Sequence, residues 1–199
     1  MSQIKLKHSG GNSVIIAAPD SNPASDRTLK LPSDGDGTIL TTNSSVGKTL
    51  QVLSTSKTDT FSTTSQSYID VTGLSVSITP SSSSNKIFII LDIKVGAGHE
   101  DAAFAGRLMR DSTAIYIGDA SNSRTRASFG TSRQSGNAGY DVLQDRQAVF
   151  LDSPSTTSAI TYKVQIMGNN GRYTYVNRTH DDSDDDDTPR TASSITVME

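Results

Sequence analysis

Short stretches of alternating apolar and polar residues run through most of the chain, and they predict β-strands. The alternation is strict in residues 74–78 and again in residues 160–166. Side chains two positions apart lie on the same face of a strand, so each stretch predicts one buried and one solvent-facing side. No segment repeats its apolar residues with the 3.6-residue period of an amphipathic helix. The pattern therefore predicts an all-β chain.

The run Lys86–Val95 is the most apolar of the chain and follows a serine-rich turn at 80–85. Such a run predicts a central strand that is either buried on both faces or placed at a subunit interface. Further strands are predicted at Ala102–Arg110, Thr113–Gly118, Gln147–Leu151, Arg172–Val176 and Ser194–Met198. Turn residues recur between them at the spacing of an antiparallel β-sandwich, here taken to be of jelly-roll type.

Residues 1–48 differ from the rest, which divides the chain into three parts. This N-terminal part holds four short apolar stretches separated by turn-rich pieces, at Ile4–Lys7, Val14–Ala18, Thr28–Leu31 and Thr38–Leu40. It predicts either a hairpin pair laid against the main domain or an intertwined trimeric stem and attachment module. The sequence of residues 49–67 indicates a linker or an edge strand. The sequence of residues 68–199 indicates the sandwich head domain.

The composition favours strands and suggests association. Serine and threonine make up 54 of the 199 residues, and Asp occurs 19 times against two Glu, a balance unfavourable to helices. Trp and Cys are absent, and aromatic residues are 6% of the chain. So small an apolar content suggests that identical copies complete the core between them.

Charge and hydropathy exclude several classes of partner. The net charge of −3 gives no electrostatic basis for binding nucleic acid. No apolar run approaches the roughly 18 residues of a membrane-spanning helix, so membrane insertion is not expected. The first residues lack the apolar core of a signal peptide.

Residues 4–42 carry a resemblance to a known group of proteins. They read IKLKHSGGNSVIIAAPDSNPASDRTLKLPSDGDGTILTT, which is similar to a stem module recurring in tail-fibre-like proteins of marine bacteriophages. Segments 61–64, 68–87 and 191–199 also resemble that group. The resemblance implies a homotrimeric virion structural protein, assembled in the cytoplasm of the host bacterium, with a stem module and a β-sandwich head.

Three functions follow as hypotheses. The first is a non-enzymatic tail-fibre-like appendage subunit, whose partners are its own copies, other virion proteins and a host-surface glycan. The second is a capsid decoration protein that stabilises the shell, because the stem module begins at residue 1 and occurs once. The third is a receptor protein that binds or cleaves carbohydrate. No catalytic residue is predicted, since His8, His99 and His180 stand apart without a motif.

The segment His180–Thr188 is the chain's most acidic. Its six aspartates are Asp181, Asp182, Asp184, Asp185, Asp186 and Asp187. Dense carboxylates can hold Ca²⁺ or Mg²⁺, which prefer oxygen ligands, and a threefold arrangement would bring three such segments together. The spacing is not that of an EF-hand loop, and repulsion between neighbouring charges favours a solvated loop as the alternative.

A long surface loop is predicted at Ser121–Gly139, and it is basic. Arg124, Arg126 and Arg133 lie in it together with Phe129. These residues are predicted to contact an acidic surface, either a glycan or the acidic segment of a neighbouring subunit. The alternative is a solvated loop with no partner.

Overall fold

The regular secondary structure of the described residues consists of strands, as the sequence predicts. The computed structural model describes residues 3–7, 9–11, 13–17, 49–99, 101–132 and 142–199. The strands that these residues form pair antiparallel, and no helix occurs among the described residues. The all-β prediction is confirmed. The chain divides into two compact units, Met1–Val46 and Gly47–Glu199.

The first unit contains one hairpin. Strands β1 (Gln3–Lys7) and β2 (Ser13–Ala17) pair antiparallel, with Gln3 opposite Ala17. Gly11, in the turn, has a φ of 96°, a conformation that glycine adopts without steric cost. The strands predicted at 28–31 and 38–40 lie outside the described residues. The stem interpretation of residues 1–48 stays a prediction.

The second unit is built from two antiparallel sheets. Its strands are β3 (Val52–Lys57), β4 (Phe61–Thr63), β5 (Ile69–Ile78), β6 (Ile87–Ala97), β7 (Phe104–Arg110), β8 (Thr113–Ile115), β9 (Phe129–Thr131), β10 (Leu143–Asp152), β11 (Ile160–Gly168), β12 (Thr174–Val176) and β13 (Ser193–Met198). One sheet has the order β3-β13-β6-β12-β4, with β10 also paired to β6. The other has the order β5-β11-β7-β8, with β9 also paired to β7.

Successive long strands alternate between the two sheets. The chain crosses from β5 to β6, back to β7, and later from β9 to β10 and back to β11. This alternation gives the sandwich its jelly-roll character. Segment 49–67, predicted as a linker or an edge strand, supplies β3 and β4, which stand at the two ends of the six-stranded order.

The core lies between the sheets and uses the residues that the alternation predicts. On β6 the inward side chains have no exposed surface, namely those of Ile87, Ile89, Leu91, Ile93 and Val95. They join one apolar cluster with buried residues of β5 and β11, including Leu74 and Val164. The outward face of β6 is different, because Phe88 remains 37% exposed. Burial on both faces is therefore wrong for the single chain, and the interface alternative remains a prediction.

A buried ion pair joins the two sheets at one end of the sandwich. Asp152, at the end of β10, accepts hydrogen bonds at 2.9 Å from Arg110 Nη1 and at 2.7 Å from the Tyr162 hydroxyl. Arg110 and Tyr162 belong to the opposite sheet. Burial raises the pKa of the Tyr162 hydroxyl, and its hydrogen bond to Asp152 raises that pKa further. Removing one member would leave a buried charge without its partner.

Strand β9 lies inside the segment predicted as a surface loop, and Phe129 explains why. Its side chain is 8% exposed and lies against Gly106 of β7. A Cβ atom added to Gly106 would fall 2.1 Å from the ring, so only glycine leaves room for it. Phe129 belongs to the core, and the burial of its ring fixes β9 against β7.

The side chain of Glu199 ties the last strand to the turn between β5 and β6. Its carboxylate accepts hydrogen bonds from the Ser81 amide at 2.7 Å, from the Asn85 side chain at 2.6 Å and from Gln51. Partial desolvation raises the pKa of this carboxyl, but the hydrogen bonds outweigh it and lower the pKa to about 2. The charged form is therefore the one that the fold favours.

We expect Gly106→Ala to lower the free energy of unfolding by about 1–3 kcal/mol, because the new methyl group displaces the Phe129 ring. Urea unfolding followed by circular dichroism measures this loss. Gly118→Ala is the matched control, since a Cβ there would meet only Ala127 O, at 3.9 Å. Equal stability of the two variants would contradict the packing described for Phe129.

Acidification should weaken the protein partly through Glu199. Its pKa is lower in the folded state than the ordinary value of 4.5, so its contribution is complete above that pH and is lost as the pH falls toward 2. Glu199→Gln should flatten the dependence of stability on pH in this window. Urea midpoints measured between pH 6 and pH about 2.5 test this, and parallel curves for the two proteins would refute it.

Candidate functional site

A cleft of about 420 Å³ lies on the outer face of the five-stranded sheet, where β7 begins and β11 ends. Its floor is formed by Ala105, Gly130 and Met167, which stand opposite one another on β7, β9 and β11. Alanine and glycine carry little or no side chain, so the sheet is recessed at this point. Glycine is required at 130, because an added Cβ would lie 2.7 Å from Phe104 O.

Polar side chains surround this apolar floor. They are those of Thr125, Thr131, Ser132 and Asn169. The Asn169 Oδ1 atom is buried and accepts no hydrogen bond from any described residue. A buried acceptor without a donor costs free energy, and because this atom has no accessible surface, a ligand in the cleft could reach it only if the side chain moved.

One wall of the cleft is a loop segment that hydrogen bonds hold in place. The Tyr68 hydroxyl donates to Arg126 O at 2.8 Å, and Arg126 Nε donates to Gly118 O at 2.7 Å. The Gly118 amide in turn donates to Ala127 O at 3.1 Å. The guanidinium of Arg107 lies 4.1 Å from the centre of the Tyr68 ring and supports it from the sheet. These hydrogen bonds therefore hold the conformation of the wall in the unliganded protein.

The four residues predicted as interaction contacts have different places. Arg124 and Arg126 are exposed and flank Thr125, which lines the cleft. Phe129 is a core residue, and only 8% of its surface is exposed. Arg133 lies outside the described residues. The sequence pointed to the basic loop but missed the cleft floor, because alanine and glycine carry no recognisable signal and meet only through strand pairing.

The base of the acidic loop is fixed by a buried asparagine. Asn177 has no exposed surface and a φ of 64°. Its Nδ2 donates to Lys57 O at 2.8 Å and to Asp59 O at 2.9 Å, and its Oδ1 accepts from the Ser193 hydroxyl at 2.5 Å. Thr191 N donates to Asn177 O at 3.0 Å. Both ends of the loop between β12 and β13 are thereby anchored.

Within that loop, arginines neutralise one of the aspartates. Asp182 accepts two hydrogen bonds from Arg190, at 3.0 Å and 2.7 Å, and lies 3.8 Å from Arg178. Asp181 and Asp187 line a shallow cleft of about 310 Å³ together with Thr179 and Thr188. Asp184, Asp185 and Asp186 are exposed. Searched over the described part of the chain, no group of three or more His, Cys, Asp or Glu side chains is arranged to hold a metal ion.

The similarity of this chain to known proteins is confined to solved structures. No protein-family model and no curated protein matches the sequence. Among solved structures, the chain is similar to the VP2 subviral particle of infectious bursal disease virus, with 12% identity, a TM-score of 0.39 and coverage of 94% of this chain and 46% of that one. T=1 particles derived from infectious bursal virus match with 11% identity, a TM-score of 0.40 and coverage of 94% and 45%.

A third similar structure is Eiger TNF from S. frugiperda, with 6% identity, a TM-score of 0.30 and coverage of 74% of this chain and 92% of that one. The chain spans about half the length of the viral chains that it matches. Because all three TM-scores are low, the similarity carries no conclusion about function. Among the described residues there is no helix long and apolar enough to cross a membrane.

We expect excess Ca²⁺ to leave the melting temperature of the protein unchanged. Calcium takes six to eight oxygen ligands, whereas Asp182 is engaged by arginine and two aspartates share the shallow cleft. Differential scanning calorimetry with and without millimolar CaCl₂ tests this, with MgCl₂ and NaCl at equal ionic strength as controls. A rise in melting temperature specific to Ca²⁺ would show that the acidic segment binds the ion.

Proposed function

We propose that the chain is a non-enzymatic structural subunit of a bacteriophage particle, a homotrimeric tail-fibre-like appendage that serves virion assembly and host contact. The resemblance of residues 4–42, 61–64, 68–87 and 191–199 to phage stem and head modules supports the placement on a virion. A rigid sandwich with anchored loops suits a mechanical and adhesive role. The observation that carries the proposal is an exposed apolar surface on the six-stranded sheet.

This surface, here called the apolar row, crosses four neighbouring strands. It consists of Val52 on β3, Met198 on β13, Phe88 on β6 and Leu151 on β10, each directly opposite the next. All four point away from the core, since they alternate with buried neighbours or pair with residues that do. Val52 is 54% exposed and Leu151 is 50% exposed.

A second line of residues widens the apolar row on one side. Val149, 48% exposed, stands opposite Ile90, which stands opposite Thr196. Beyond these the same face becomes charged, where Lys94 contacts Asp92 at 2.6 Å and Asp145 at 3.5 Å. An apolar centre with a polar margin is the composition of a protein–protein interface.

The dimensions of the apolar row fit the centre of an interface. Four strands about 4.8 Å apart span roughly 15 Å, which gives an apolar patch of a few hundred Å². A standard interface buries about 800 Å² on each partner, so the polar remainder of the sheet face would complete it. In the proposed assembly, other copies of this chain cover the apolar row. The resemblance to the phage module implies a trimer, and a threefold axis brings the same face of each protomer together.

In such a trimer the outward face of β6 is covered and the opposite sheets face outward. The five-stranded sheet, with its cleft and basic loop, is then presented to the surroundings. The N-terminal module would attach the trimer to other virion proteins. A capsid decoration protein could be built in the same way, and the two differ in copy number: few per particle for an appendage, and tens to hundreds for a decoration protein.

We expect the double variant Val149→Asp, Leu151→Asp to convert the trimer into monomers, because two charges would be desolvated in each copy of the interface. Size-exclusion chromatography with light scattering measures the mass. The matched control is Ser77→Asp, which places a charge on the exposed face of the other sheet. A native protein that is monomeric at micromolar concentration would overturn the proposed assembly.

A further inference from the structure

The cleft on the five-stranded sheet has the size and lining of a small-ligand site. Its volume of about 420 Å³ falls within the range of roughly 300–1,000 Å³ that ligand sites occupy. Ala105 and Met167 supply an apolar floor. Hydroxyl and amide groups stand around this floor, and no charged side chain is among the described residues that line it.

The polar rim matches a ligand rich in hydroxyl groups. Three hydroxyl side chains line the cleft together with Asn169, namely those of Thr125, Thr131 and Ser132. The hydroxyls of Thr125 and Ser132 can each donate one hydrogen bond and accept two. Thr131 donates to Ser132 O at 3.2 Å, which leaves its oxygen as an acceptor. A ligand hydroxyl both donates and accepts, and so it can pair with each of these groups.

The floor favours a ring with one apolar face over an open-chain polyol. The C–H face of a pyranose ring is flat and apolar, and its hydroxyls project around the edge. Placed on Ala105 and Met167, such a ring would direct its hydroxyls toward the rim. The exposed guanidinium groups of Arg124 and Arg126, next to Thr125, would lie beyond the ring and favour a carboxylate on an adjoining sugar.

The site requires little rearrangement to bind. The wall formed by residues 124–127 is held by the hydrogen bonds between Tyr68, Arg126 and Gly118. The Ser128 hydroxyl accepts from Leu108 N at 2.9 Å and fixes the wall to β7. A pre-formed site avoids the entropy cost of ordering loops on binding.

From these observations we infer that the cleft binds one pyranose unit of a glycan, with the hydroxyl groups of Thr125, Thr131 and Ser132 and the side chain of Asn169 around its rim. The inference rests on the proposed function only for the source of the glycan, a host surface polysaccharide. Its geometry belongs to a single chain and does not depend on the trimer.

Saturation-transfer difference NMR on the full chain tests this. The probes are methyl glycosides of glucose, galactose, mannose and N-acetylglucosamine, and as an acidic set glucuronate, galacturonate and N-acetylneuraminate. We expect transfer to at least one probe. Ala105→Leu, which fills the floor, and Asn169→Leu, which replaces a lining amide with an apolar side chain, should each weaken binding at least tenfold.

Two further variants separate a direct role from a structural one. Ser77→Leu places the same bulk on the outer face of β5, and it should bind as the native protein does. Asn169→Asp keeps an acceptor oxygen, and it should retain the binding of a neutral probe. Melting curves of all variants identify any that fail to fold, and either Ala105→Leu or Asn169→Leu alone is sufficient for the test.

The absence of transfer to every probe would overturn the inference, as would native-like binding by Ala105→Leu and Asn169→Leu. Tighter binding of the acidic set, lost in Arg124→Ala, would identify an acidic glycan. Tighter binding of the neutral set would identify a neutral one. A trimer that binds no sugar refutes this site and leaves the proposed function intact, and a monomer that binds sugar does the reverse.

Discussion

Strand β6 carries bulky apolar side chains on both faces, and a two-layer sandwich can cover only one of them. The inward residues from Ile87 to Val95 fill the space between the sheets and have no exposed surface. Phe88 and Ile90 face the other way, where β10 and β13 add Leu151, Val149 and Met198. The same strand that fills the centre of the core thus leaves an apolar surface that water solvates poorly. We propose that further copies of the chain cover this apolar surface when they assemble.

The two sheets consequently have different outer faces. The six-stranded sheet presents apolar side chains, which suit a permanent contact between subunits. The five-stranded sheet presents serine, threonine, lysine and glutamine, including the pair Ser77 and Thr161, whose hydroxyls lie 2.8 Å apart. The cleft above Ala105 is a recess in this face. The ion pair of Arg110 and Asp152 joins the two sheets at the edge of the apolar core.

Much of the fold could be read from the sequence, because alternation reports directly which face of a strand is buried. Residues 74–78 and 160–166 have the predicted faces, and the turn at 80–85 and the hairpin at Asp111 lie where expected. Strand β9 could not be predicted, since Phe129 is buried only because Gly106, 23 positions earlier, leaves space for its ring. The cleft depends on three strands meeting, and the link between Asp152 and Tyr162 depends on both sheets. Contacts between residues so far apart in the sequence leave no trace in the local alternation of apolar and polar residues.

The anchoring of Asn177 bears on how the length of the chain can change in evolution. Residues 177 and 191 are joined by a backbone hydrogen bond, and the side chain of Asn177 is held by Lys57 O and Asp59 O. The chain between them is a closed loop whose ends stay fixed whatever its length. Doubling the length of such a loop costs only about 0.6 kcal/mol in closure entropy. Insertions and deletions there would be tolerated by the sandwich, which makes this loop a place where length can diversify without loss of the fold.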